Sequence, residues 1–139
     1  MSIIRAYHET NCSEEYGMPA IIEAGHLIPI RMYLPEDEMD AWSWEIEYDF
    51  VYCSVFKRLH TYGDRGFVFD ARQLIEQGGQ LYIGHSPDIS EDFKLLLHGQ
   101  ALRALDALEK MPEEERPQFN IRCGFPIPIS WAIETFEDK

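Results

Sequence analysis

His8 and Thr10 stand two residues apart in the run RAYHET. Alternation in an extended segment puts both on one side of it. A strand histidine either satisfies a neighbouring carbonyl or offers a ring nitrogen to a ligand, and the residue type alone leaves both open. Carboxylates are the second set able to do chemistry. Glu36, Asp37 and Glu38 follow Pro35, Glu45, Glu47 and Asp49 alternate with Trp44, Ile46 and Tyr48, and Glu113, Glu114 and Glu115 are consecutive. Such groups recognise a basic partner, serve as a catalytic acid, or simply keep a surface hydrated. Other chemistries are excluded more firmly. His26, His60, His85 and His98 form no i, i+4 pair of the kind that holds zinc from a helix. Cys12, Cys53 and Cys123 form no C-x-x-C pair, and Cys53 and Cys123 sit in apolar runs as buried thiols would. No G-x-S-x-G, P-loop or dinucleotide glycine motif is present, which sets aside the serine hydrolase, P-loop ATPase and classical dehydrogenase classes.

The elements that must position these residues are short. Residues 2–10 read as a strand with Ile4, Ala6 and His8 on one face and Ile3, Arg5 and Tyr7 on the other. After a polar loop, Pro19 opens the helix PAIIEAG, and Gly25 suits its left-handed cap. HLIPIRMYL reads as extended near a sheet edge because of Pro29. Residues 35–50 combine a helix start, with acids at the positive end of the dipole, and a strictly alternating stretch, so a helix running into a strand near residue 48 is expected. DFVYCSVF, FVFD, QLYIG and FNIRCGF read as strands, the last with Phe119, Ile121 and Cys123 on one face. ARQLIEQ reads as a short helix stopped by Gly78 and Gly79. Phe93, Leu97, Ala101, Leu105 and Leu108 form the clearest helical stripe, with Ser90 as its cap. PIPISWAIETFEDK closes the sequence, extended first and polar at its end. The sum is an α+β fold in a single compact domain spanning 1–139. A mixed or antiparallel sheet of about six or seven strands carries a few short helices and one longer amphipathic helix near 90–110.

Tyr7-His8-Glu9-Thr10, followed by a loop, a short helix and Ile22-Glu23-Ala24-Gly25 with Leu27 beyond, resembles the first motif of the ADP-ribosyltransferases of the His-x-Thr group. VYCSVFKRLHTYGD continues the likeness with Ser54 and Tyr62, so it covers roughly residues 5–70. The resemblance implies that the domain binds NAD. His8 would meet the ribose, Thr10 would support its strand, and main-chain groups beside them would grip the nicotinamide amide. Tyr62 would stack on the nicotinamide ring, whose flat and partly cationic character suits an aromatic face. Ser54 would line the pocket. The family's catalytic Glu, which stabilises the positive charge that develops as nicotinamide leaves, sits at the start of a late strand. Here that strand carries Asn120 and Arg122, and the best-placed acid is Glu115, just before it. ADP-ribose transfer to a protein or small target is the implied reaction, and its catalytic acid is the part of the pattern least well matched.

Bulk properties add a second expectation. The 139 residues are 45% hydrophobic and 13% aromatic, rich enough for a real core. No apolar run approaches the roughly 20 residues that span a bilayer, and no signal peptide is evident, so a cytoplasmic protein with no membrane contact is expected. With 25 acids against 12 Lys and Arg the formal charge is −13, which repels phosphate backbones, so direct nucleic-acid binding is not expected. The same charge suits an acidic inhibitor or immunity-type protein that binds a basic partner, a toxin or a nucleic-acid-binding protein, without catalysis. Glu36, Asp37, Glu38, Glu45, Glu47 and Asp49 would carry that contact.

Overall fold

The computed structural model describes residues 3–14, 17–29, 50–60, 63–83, 94–95 and 98–138. Alternating runs become strands β1 (Arg5–Thr10), β2 (His26–Leu27), β3 (Val51–Val55), β4 (Arg65–Asp70), β5 (Gln80–Ile83), β6 (Lys94–Leu95), β7 (Phe119–Cys123), β8 (Ile127–Pro128) and β9 (Glu134–Glu137). Seven of them form one sheet in the order β6-β5-β7-β3-β1-β4-β9, and β2 with β8 forms a separate two-stranded sheet. Every pairing is antiparallel. The helices among the described residues are α1 (Met18–Ala24), α2 (Ala71–Glu76) and α3 (His98–Glu109). The architecture is the single α+β domain that the sequence pattern implies.

Local chemistry accounts for the boundaries. Gly25 ends α1 with φ 79°, a backbone state that costs glycine little, and its N–H donates to the Ile21 carbonyl. Asp70 caps α2, its carboxylate accepting from the Arg72 N–H at 3.0 Å. Residues directly opposite across an antiparallel ladder share a face, so the registers sort the sheet into two. One face carries Ile4, Ala6, Val51, Cys53, Val55, Phe67, Phe69, Leu81, Phe119, Ile121 and Cys123, all buried. Ala71, Leu74 and Ile75 of α2 and Ala101, Leu105 and Leu108 of α3 join them in one core. Arg72 ties the two helices by donating to Asp106 at 2.8 Å and to Glu109 at 3.3 Å.

One expectation is corrected. The helical stripe does not run back through residue 94: Lys94–Leu95 is an edge strand paired with β5, and α3 begins only at His98. Of HLIPIRMYL, His26 and Leu27 are extended and pair with Pro128 and Ile127 in the two-stranded sheet, and residues 30–34 lie outside the described residues. At the polar end of the chain Glu134–Glu137 forms β9 by pairing with β4, and Arg5 and Arg65 contact Glu134 and Glu137. The helix-to-strand reading of residues 35–50 and the Ser90 cap lie outside the described residues.

Candidate functional site

The sheet parts at its centre. β1 and β3 are in register at Ala6 with Val55 and Tyr7 with Ser54 only. Yet β1 continues beside β4 to Thr10, and β3 extends beside β7 back to Val51. The ladder between these two central strands therefore ends at Tyr7 and Ser54 while both strands continue. His8 spans the opening with its side chain: Nδ1 lies 2.8 Å from the Tyr52 carbonyl oxygen. A carbonyl only accepts, so Nδ1 carries the proton and Nε2 is left as the acceptor. Burial holds the imidazole below its ordinary histidine value, outweighing the Tyr52 bond and the Glu9 charge that both act to raise it. His8 is a neutral acceptor at pH 7.

Close packing fixes the second half of β1. Gly66 lies so close to β1 that a side-chain carbon would overlap the His8 carbonyl, and one on Gly63 would overlap that of Thr10. Only glycine lets the chain return this closely along the second half of β1. Glu9 then anchors the segment that leaves β3. Its carboxylate, with 3% of the side chain exposed, accepts from Arg58 Nη2 at 2.8 Å, Arg58 Nε at 3.2 Å and the His60 N–H at 3.0 Å. That segment turns through left-handed backbone at Phe56 (φ 73°) and His60 (φ 56°), uncommon for residues with side chains.

The face away from the helices is polar and aromatic. One row across the strands reads Tyr82, Asn120, Ser54, Tyr7, Val68 and Glu134. Ser54, Asn120 and Tyr82 are all buried. Asn120 Oδ1 accepts from Gln118 Nε2 at 3.2 Å. The Ser54 hydroxyl is buried and has no hydrogen-bond partner among the described residues. A buried hydroxyl without a partner is costly, and native structures keep few of them. The neighbouring row carries Gln80, Arg122 and Tyr52, with Arg122 Nε donating to Gln80 Oε1 at 2.9 Å and its guanidinium 4.3 Å above the Phe50 ring. Tyr52 meets Tyr82 edge to face at 6.3 Å.

The structure brings some of the expected residues together. His8 and Thr10 share one face at the opening, with Thr10 buried at the end of β1. Ser54 borders the same opening, but its side chain lies on the opposite face, beside Tyr7 and Asn120. Tyr62 lies outside the described residues, as do Glu36, Asp37, Glu38, Glu45, Glu47 and Asp49. Glu115 is exposed on a single turn of 3₁₀ helix, Glu113–Glu115, where the short turn directs the carboxylates to solvent. The acid of that run whose charge reaches the sheet is Glu113. It adds to the burial that chiefly raises the Tyr7 phenol, an effect Arg5 opposes. A groove of about 270 Å³ opens near the start of β1 between Arg5, Tyr7, Phe56 and Arg116, and neither His8 nor Ser54 lines it.

The sequence reading passed over Tyr7, Tyr52, Tyr82 and the Glu9–Arg58 pair. The alternation in VYCS, QLYI and RAYHET did place those tyrosines opposite the apolar positions, which was the available signal. No signal joined Glu9 to Arg58, 49 positions along the chain. Among the described residues no group of His, Cys, Asp and Glu is placed to hold a metal ion. Cys53 and Cys123 are buried free thiols, with burial pushing Cys123 up to about 12; neither has the thiolate character of a nucleophile. No described helix is long and apolar enough to cross a membrane. No family model matches the chain, and no curated protein or solved structure matches it either.

Proposed function

We propose that this is an ADP-ribosyltransferase-like domain that binds NAD where β1 leaves β3. The observation that carries the reading is that divergence: the ladder stops after Tyr7 and Ser54 while both strands continue. A ladder end of this kind supplies main-chain groups that suit a carboxamide, which needs a donor and an acceptor side by side. His8 contributes a neutral acceptor at Nε2, its tautomer set by the Tyr52 carbonyl, which suits a ribose hydroxyl. The partnerless Ser54 hydroxyl fits a polar ligand group better than an apolar core.

Transfer of ADP-ribose is the weaker half of the reading. Loss of nicotinamide builds positive charge on the ribose, and a carboxylate aimed at it lowers the barrier. Asn120 stands on the late strand in place of an acid, Glu115 is exposed, and Glu9 is already neutralised by Arg58. The reading therefore favours binding with slow or no turnover. A cytoplasmic location belongs to the same proposal.

Titration calorimetry of NAD into the wild type, His8→Ala and Ser54→Ala tests it. Binding that weakens at least roughly tenfold in both variants supports the site. No heat at millimolar NAD with folded wild type sinks it.

A second reading keeps the fold as a binding scaffold for a basic protein, and the excess of 25 acids over 12 cations favours it. Tight, salt-sensitive capture of a basic protein, lost on charge reversal at Glu36–Glu38 or Glu45–Asp49, is the outcome it expects.

A further inference from the structure

We infer that Arg58 is a positioning residue for the His8 site, holding the diverged end of β1 and the C-terminal strand β9 as one unit. The inference deepens the nucleotide reading above and names what keeps that site in shape. Arg58 lies on the loop after β3, only 10% of its side chain exposed. Its guanidinium serves four partners at once. Nε and Nη2 donate to Glu9, the residue after His8. Nη2 also donates to the Gly63 carbonyl at 3.0 Å, next to the point where Gly63 packs against Thr10. Nη1 donates to Asp138, and the plane lies 4.0 Å from the centre of the Phe136 ring. Asp138 is held in addition by its own N–H, which donates to the Asp64 carbonyl at 2.6 Å.

The geometry needs a fork. A planar guanidinium reaches a carboxylate on each side and stacks on a ring at once, whereas a lysine ammonium is a single point charge. Glu9 lies on β1 and Asp138 directly follows β9, with β4 between the two strands. Arg58 is thus the group through which the C-terminal strand bears on the backbone at His8–Thr10.

The test uses the full chain as wild type, Arg58→Lys and Asp138→Asn. The His8 ring signals and the amide exchange of Glu9 and Thr10 are read by NMR, NAD affinity by calorimetry, and foldedness by chemical denaturation. Asp138 is partly exposed, so Asp138→Asn keeps the inference testable should Arg58→Lys fail to fold. The expected result is a moved His8 signal and faster exchange at Glu9 and Thr10 in both variants. NAD affinity should weaken about tenfold in Arg58→Lys and about two- to fivefold in Asp138→Asn, with the domain still folded. A merely structural ion pair would lower the denaturation midpoint and leave the His8 signal alone. Wild-type His8 signals and exchange in folded variants overturn the inference. If the wild type itself takes no NAD, the nucleotide reading fails while the NMR measurements still decide the role of Arg58.

Discussion

The two faces of the central sheet are built from alternate residues of the same strands, and they obey different rules. On β3, Val51, Cys53 and Val55 enter the helix-packed core, while Tyr52 and Ser54 point the other way. On β7, Phe119, Ile121 and Cys123 enter the core, while Asn120 and Arg122 do not. The apolar face is closed by α2 and α3 and its polar groups are few. The opposite face buries Ser54, Asn120 and Tyr82 in a row, and the Ser54 hydroxyl has no partner among the described residues. Burial without full satisfaction contributes little to stability and much to recognition. The difference separates residues that close the core from buried polar residues one position along the chain, and the proposed site draws on both faces, with His8 on the side of Phe67 and Ser54 on the other.

The comparison breaks most visibly in the core. Ile121 is fully buried at the middle of β7, and Ile121→Ala should cost about 2–5 kcal/mol, read as a lower denaturant midpoint, because it leaves a cavity between the sheet and its helices. Next comes the helix layer: Asp70→Ala removes the cap of α2 and should cost about 1 kcal/mol in the same experiment. Ser54→Ala, one residue from Cys53, should behave in the opposite sense. Removing a partnerless hydroxyl should leave stability unchanged or raise it by up to about 1 kcal/mol, while NAD affinity falls. Destabilisation comparable to Ile121→Ala would show that the two faces are not distinct.

The smallest effect is the acid response of the edge. The Asp138 carboxyl is held below its usual value of 3.8, first by its hydrogen bond with Arg58. A carboxyl depressed in the folded state contributes stability above its unfolded value and loses it as pH falls through the folded value. Stability should therefore dip below about pH 4 in the wild type, and less steeply in Asp138→Asn, in urea midpoints taken across pH. His8 adds a separate slope. Its folded value lies below the ordinary 6.5, so the unfolded chain takes up its proton first and stability declines as pH drops below that value.

Much of this was legible in the sequence. Period-two alternation sorted the faces of β1 and β7, and short apolar runs placed β3, β4 and β5. Pro19, Gly25 and the Gly78–Gly79 pair marked helix ends for stereochemical reasons that need no tertiary context. What escaped depends on distant partners. ETFE is a strand because it pairs with β4, and four residues with two acids give little local sign of that. Lys94–Leu95 shows the converse, a pairing with β5 overriding a helical stripe. Within the site, His8 and Ser54 were visible as residue types, but their placement on opposite faces follows from a register that only the pairing of β1 with β3 fixes.

The place of β7 in the sheet has a consequence for the order of events at the ribosome. β7 lies between β3 and β5 and pairs with both, yet it is residues 119–123 of the chain. Until β7 is made, β3 and β5 have a vacant lane between them, each showing an unpaired border. The sheet can close only when residues 119–123 have left the exit tunnel. Until then the nascent domain exposes the sticky edges that chaperones recognise, and a polypeptide cut short before Phe119 should aggregate rather than fold.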